Sequence, residues 1–333
     1  MRAVLLTGHG GHECLDVRDD VAVPAIGDGD VLVRVAAAAV NNTDVNTRVG
    51  WYSGGGWTGS FEFPRIQGID ACGYVAAVGA GVSAARIGER VLVEPCWREQ
   101  GAPLSSARFF GSEVDGAFAE FAVLPSRHAH AIRSTLSDVE LASFPCSYST
   151  AENMLCRSDV QHGDRVLVTG ASGGVGSASV QLAAARGAVV HAVAAASKHD
   201  EVAALGAARC IDRSASLVDE CGVDSYDVVI DVVGGESWPA LLAVLRPGGR
   251  YAVAGAIAGP IVSLDLRTLY LKDQRLLGCT VLDDGVFASL VQRIEGGQVR
   301  PAVAATFPLE RIVDAQELFL AKTHVGKIVL TVG

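Results

Sequence analysis

No stretch of this 333-residue chain approaches the roughly 18 to 20 uninterrupted apolar residues that span a bilayer, so a membrane is not the expected partner. No basic block stands out either. With 27 Lys and Arg against 37 Asp and Glu the formal charge is −10, which argues against a nucleic-acid surface. The eight cysteines (Cys14, Cys72, Cys96, Cys146, Cys156, Cys210, Cys221 and Cys279) include no C-x-x-C pair. Scattered through apolar segments, they read as reduced thiols rather than as a disulfide framework. Charged residues are few, at 19%, and aromatic ones fewer, at 6%, while half of the chain is apolar. That is ample for a large core and excludes disorder as the main state. Residues 1–10 meet Gly and polar residues too soon for a signal peptide and read as a first strand. The expectation is a soluble, cytoplasmic α/β protein whose partner is a small molecule.

What is present changes character along the chain. The first third holds short Val-rich runs between Gly and Pro: 31–35, 73–79, 90–94 and 116–123. Such runs predict a mainly antiparallel β domain. Residues 51–60 and 99–112 read as long irregular connections. From about residue 127 helices and strands alternate: a helix over 139–156, a strand over 165–169, then a helix from Ser177. Strands over 189–193, 227–231 and 250–254 follow, with helices over 200–205 and 238–245 between them. That alternation predicts a doubly wound parallel sheet. The closing run 326–332 has no place in such a sheet and is expected to return to the first domain. The predicted domains are thus 1–126 with 277–333, and 127–276 between them.

The strongest local signal is the turn Val168-Thr-Gly-Ala-Ser-Gly-Gly-Val-Gly176, between a predicted strand and a predicted helix. Its segment Ala171, Ser172, Gly173, Gly174, Val175 and Gly176 is the candidate diphosphate cradle. Gly173 would let a backbone approach the anion and Gly176 would let helix pack on strand. Helix-terminal N–H groups and the helix dipole would then hold the charge. At the end of the second strand an NAD enzyme places Asp or Glu on the ribose 2′-hydroxyl. Here Ser197 and Lys198 follow, with Arg213 past the third strand. They read either as a site for a 2′-phosphate, favouring NADPH over NADH, or as solvated surface charges.

Several motifs then coincide in order. They are Asn41-Asn-Thr-Asp44, Arg48-Val-Gly-Trp-Tyr52, Gly68-Ile-Asp-Ala-Cys-Gly-Tyr-Val-Ala-Ala-Val-Gly79, Gly116-Ala-Phe-Ala-Glu120, the cradle, Asp231-Val-Val-Gly-Gly235, Leu245-Arg-Pro-Gly-Gly249 and Gly326-Lys-Ile-Val-Leu330. Over nearly its whole length the chain resembles the medium-chain dehydrogenase/reductase superfamily, nearest its zinc-free quinone oxidoreductase branch. The resemblance implies a GroES-like β-rich catalytic domain built from both chain ends, with a Rossmann domain inserted. It also implies a homodimer paired through edge strands near residues 269–280.

The resemblance bears on metal and catalytic residues too. Zinc-dependent relatives carry Cys where this chain has Asn41 and Gly-His-Glu where it has Gly68-Ile69-Asp70; the third ligand position matches Cys146. One thiolate without its companions cannot build a three-ligand catalytic site. The family's structural zinc lobe wants four cysteines between about residues 94 and 115, and this chain has Cys96 alone. Zinc is expected at neither place. Without a Lewis acid, reduction of a quinone or a conjugated enone is easier than oxidation of an alcohol. Tyr52 is then the candidate donor to the substrate oxygen, Asn41 an orienting amide and Asp44 a buried organiser. Alternatively Tyr52 packs on Trp51 while Asn41 and Asp44 serve a turn. By the same resemblance Thr150 lies at a helix start beside a cofactor phosphate and Lys327 near the pyrophosphate. Val233 and Ile257 line the cofactor cleft. Trp51 and Trp57 either line a substrate mouth or pin their loop. The expected activity is NADPH-dependent, zinc-independent reduction of a quinone or enone. The alternatives are an alcohol dehydrogenase with an atypical metal site and a non-catalytic NADPH-binding protein.

Overall fold

Three of the four runs of the first third form strands, whereas of 116–123 only its end does, within Phe121–Pro125. The computed structural model describes residues 1–54, 61–99 and 101–333, which fall into two units. The first comprises Met1–Cys146, Phe287–Glu295 and Pro301–Gly333, and the second Ser147–Val286 and Gly296–Arg300. These limits lie later in the chain than the predicted 126/127 and 276/277. Part of the first shift comes from pairing: Ala129–Ala131 adds to strand Arg90–Val93 as an edge of the first unit's sheet.

In the first unit a seven-stranded sheet runs in the order Ala129–Ala131, Arg90–Val93, Asp70–Val78, Asp30–Ala39, Lys327–Thr331, Val303–Pro308, with Phe121–Pro125 also on Asp30–Ala39. The closing strand returns as expected. Val329 lies opposite Ala39, and Val40 N–H donates to Ile328 O at 3.0 Å. The predicted helix over 139–156 is two helices, Asp138–Ala142 and Pro145–Arg157. Ser137 and Glu140 cap the first reciprocally. Pro145, which has no N–H to give to a preceding turn, opens the second. His128 and His130 share the Glu94 carboxylate at 2.7 and 3.1 Å.

The second unit holds six parallel strands. In chain order they are Arg165–Val168, Val189–Ala194, Arg209–Asp212, Tyr226–Asp231, Leu245–Val253 and Arg275–Gly278, arranged 3-2-1-4-5-6. The first strand is doubly buried, as its unbroken Val-Leu-Val run requires. The strand order reverses between the first and fourth strands, the switch point at whose carboxyl ends ligands bind in open α/β sheets. Among the described residues no helix is long and apolar enough to cross a membrane. None of the eight cysteines is in a disulfide.

Candidate functional site

The glycine-rich turn lies at that switch point. Strand Arg165–Val168 ends beneath it and helix Gly174–Ala185 starts from it, with Gly173 at the cap position. The two key glycines are there for different reasons. A Cβ at Gly176 would sit 2.2 Å from Gly170 O and 2.7 Å from Ala171 Cα, so this glycine lets the helix lie against the strand. A Cβ at Gly173 would meet nothing nearer than Gly170 O at 3.4 Å, and its backbone is ordinary extended chain at φ −79. The fold therefore does not require Gly173 to be glycine. No side chain caps the helix, so no cap takes up the first-turn N–H groups of Gly174, Val175 and Gly176. A bare helix start behind an open glycine fits a diphosphate.

Three neighbouring strands are tied beneath this turn by the carboxylate that ends the strand predicted over 227–231, a tie that sequence reasoning missed. Buried Asp231 accepts from Thr169 Oγ1 at 2.5 Å, from Tyr251 Oη, and from the N–H groups of Val233 (2.9 Å) and Gly234. Burial, then the Asp231 charge, pushes the Tyr251 phenol up. Val233 is thus held by its own backbone, its carbonyl accepting from Ala258 N–H at 2.9 Å, while Ile257 beside it is exposed. At the end of the second strand Ser197 and Lys198 lie in a short 3-10 turn, Ala196–Lys198. Its Ala196 N–H donates to Asp212 at 2.9 Å, and Asp212 also takes both donors of Ser214. Burial and then the nearby Arg213 charge lower Lys198, so the structure brings these two cations together. Asp212 was missed, although an Asp-x-Ser sequence at a strand end is a turn signal.

In the first unit a second polar group forms where three segments of one sheet meet. Asn41 follows strand Asp30–Ala39, Asp70 opens its neighbour Asp70–Val78, and Lys327 opens the closing strand. Register puts Asp70 opposite Ala39 and Val329 opposite the same residue. Lys327 Nζ donates to Asp70 Oδ2 at 2.7 Å and to Asn41 Oδ1 at 2.5 Å. Asn41 Nδ2 donates to Asp70 Oδ2 at 2.8 Å and to Ala39 O at 3.1 Å. Cys146 N–H, at the start of helix Pro145–Arg157, donates to Asp70 Oδ1 at 2.5 Å. The Asp70 and Lys327 side chains are 0% and 3% exposed. The Lys327 ammonium thus lies in a buried ion pair, and one expectation needs correction. Thr150, expected at a helix start, lies in the second turn of Pro145–Arg157, because the proline begins the helix earlier.

Asp44 sits beside this group, accepting from Asn41 N–H at 2.7 Å. Burial is the main cause that pushes its carboxyl up to about 7, and the Asp70 charge adds to it; Asn41 N–H and Lys327 pull the other way. A carboxyl raised in the folded state stabilises the fold while protonated. That contribution is complete below about pH 4 and is lost as pH climbs through about 7. The unfolding free energy of wild type relative to Asp44→Asn should therefore fall by about 1.4 kcal/mol per pH unit between roughly pH 5 and 7, then level off. Urea unfolding of both proteins checks this; a difference that stays flat would mean that Asp44 is ionised throughout. Tyr52 lies on the 3-10 turn Trp51–Gly54 with its ring edge-on to Trp51 at 5.2 Å. Its hydroxyl has no hydrogen-bond partner among the described residues. Trp57 lies outside those residues.

Two family descriptions match this chain. Residues 27–134 match the alcohol dehydrogenase GroES-like domain, and residues 174–296 match the zinc-binding dehydrogenase family. Acryloyl-coenzyme A reductase of Metallosphaera sedula is 31% identical over 343 residues, covering 99% of this chain and 100% of that protein. Quinone oxidoreductase of Rattus norvegicus is 30% identical over 344 residues, covering 99% and 97%. The crystal structure of a protein described as a candidate alcohol dehydrogenase, from Sinorhizobium meliloti 1021, superposes with a TM-score of 0.93 at 45% identity, covering 99% and 96%.

The chain belongs to the medium-chain dehydrogenase/reductase superfamily. It is an oxidoreductase, with a GroES-like domain and a Rossmann-type domain. The cradle suits the NAD(P)H of this superfamily, because Gly173 leaves open exactly the space a Cβ would fill. The residues do not suit the zinc that one of the matching descriptions names. Asn41 Oδ1 is already occupied by an ammonium, Ile69 has no lone pair to offer, and Asp70 is neutralised by Lys327. Among the described residues no three His, Cys, Asp or Glu side chains gather as a metal site.

Proposed function

We propose that this superfamily member is an NADPH-dependent, zinc-independent reductase of quinones or α,β-unsaturated carbonyls. The observation that carries the reading is the donor set around Asn41, in which a lysine ammonium takes up the amide oxygen and carboxylate nearest the family's metal positions. Such a set offers no Lewis acid for an alkoxide, whereas an enolate or quinol oxygen needs only a hydrogen-bond donor and a proton. Bound NADPH would supply hydride. The first-turn N–H groups of Gly174 to Gly176 would hold its diphosphate, with Ser172 and Gly173 flanking it and Ala171 making the turn. Lys198, Arg213 and Ser197 would hold its 2′-phosphate, and Val233, Ile257 and Thr150 would contact its remainder. Tyr52 is the donor proposed for the substrate oxygen, while Asn41 and Asp44 hold the polar group in place.

NADPH consumption with a panel of quinones and enones, unchanged by chelator, is the expected result. Lys198→Ala/Arg213→Ala should lower the preference for NADPH over NADH by tenfold or more, the loss of about 1.4 kcal/mol from phosphate contacts. Chelator-sensitive alcohol oxidation would overturn the reading in favour of a metal enzyme. Cofactor binding without turnover on any acceptor, unaltered by Tyr52→Phe, would leave a non-catalytic binding protein. A second copy of the chain is the proposed partner of the second unit's edge. There Ile261, Leu266, Tyr270 and Leu271 are exposed beside the last strand of the sheet, Arg275–Gly278. The same preparation should sediment as a dimer. The cytoplasm is the proposed compartment, since the cysteines lie outside any disulfide; cell fractionation checks it.

A further inference from the structure

We infer that an internal ammonium has taken over the metal locus of this chain: Lys327 Nζ, held between Asn41 Oδ1 and Asp70 Oδ2, bars zinc from the site and supplies its positive charge. The inference rests on the zinc-independent reading above and names the group responsible for it. The distances of 2.5 and 2.7 Å make both contacts charge-assisted hydrogen bonds. A dication ligated by the side chain at position 41 would lie about 2.3 Å from its donor atom, which is nearly where the ammonium already is.

The surroundings reinforce the exclusion. Asp70 is the buried carboxylate at the locus that faces the ammonium, and its two oxygens are filled by Lys327, Asn41 Nδ2 and Cys146 N–H. Entry of zinc would put two cations side by side at low dielectric and would strip Asp70 of its partner. Removing the ammonium does the opposite. It leaves a buried carboxylate without a counter-charge, and such a place demands a cation. Sheet register, which seats Lys327 at the start of a strand paired beside Ala39, makes the substitution of lysine for metal geometrically possible.

The experiment installs ligands and varies the lysine. In an Asn41→Cys/Ile69→His background, Cys146 would complete a three-ligand set of the kind catalytic zinc uses. With Lys327 retained, elemental analysis after zinc incubation and desalting should find less than about a tenth of a zinc per chain. Adding Lys327→Met should raise this to about one, and cobalt(II) should give a thiolate charge-transfer band and the visible bands of a tetrahedral centre. Adding Lys327→Arg instead should leave the protein without metal. Should Lys327→Met fold poorly, judged by its unfolding transition, Asp70→Asn/Lys327→Met removes both charges and is expected to take up zinc in the same background. The inference is overturned if the wild-type chain retains stoichiometric zinc. It is equally overturned if the ligand-bearing variant takes up zinc with Lys327 in place, or if neither lysine-free variant takes it up. Metal content decides this question and turnover with quinones or enones decides the proposed function, so the two can fail separately.

Discussion

Lys327→Met is expected to destabilise the protein by about 3–5 kcal/mol, because it strands a fully buried carboxylate. Asp70 is 0% exposed, and its Oδ2 loses the ammonium at 2.7 Å. The remaining donors, Asn41 Nδ2 and Cys146 N–H, are neutral and cannot replace that charge. The double variant Asp70→Asn/Lys327→Met removes both charges at nearly constant shape and should recover most of the loss, ending within about 1–2 kcal/mol of wild type. Equilibrium denaturation of wild type, both single variants and the double variant closes the cycle. Additive losses would show that the two side chains do not depend on one another. They would also remove the physical basis for treating Asn41, Asp70 and Lys327 as one unit.

Gly173→Val and Gly176→Val should part company, although both alter the same turn. Gly176→Val drives its Cβ to within 2.2 Å of a backbone oxygen, where no flexible side chain can give way. The expected cost is about 3 kcal/mol or more, seen as a lower midpoint in urea. At Gly173 the added carbon meets only Gly170 O at 3.4 Å, so stability should change by no more than about 1 kcal/mol, mostly through the helix cap. That side chain nevertheless fills the approach to the helix start. The dissociation constant for NADPH, read by nicotinamide fluorescence, should rise about tenfold or more, which corresponds to about 1.4 kcal/mol. Unchanged affinity in Gly173→Val would mean that the diphosphate does not lie on this turn.

The contrast between those glycines shows where sequence reading stops. Both belong to one legible motif, but only the space around each separates a packing glycine from a binding one. The same holds at residue 145. The stretch 139–156 reads as one helix, and the break follows from Pro145 within it, a residue whose place in a helix is at its start. His128 and His130 look solitary in the sequence because their common partner, Glu94, lies on another strand. Lys327 was recognisable as a member of a motif, yet its 257-residue separation from Asp70 left its partner invisible.

Composition and local order by themselves determined the α/β class, the alternation that builds the parallel sheet, and the glycine turn between strand and helix. Those features depend on neighbours within a few residues, through side-chain periodicity and backbone freedom. Tertiary structure alone decided which polar groups meet. The Asp70–Lys327–Asn41 cluster depends on the register of strands far apart in sequence, and burial then sets its chemistry by removing the water that would otherwise solvate each charge.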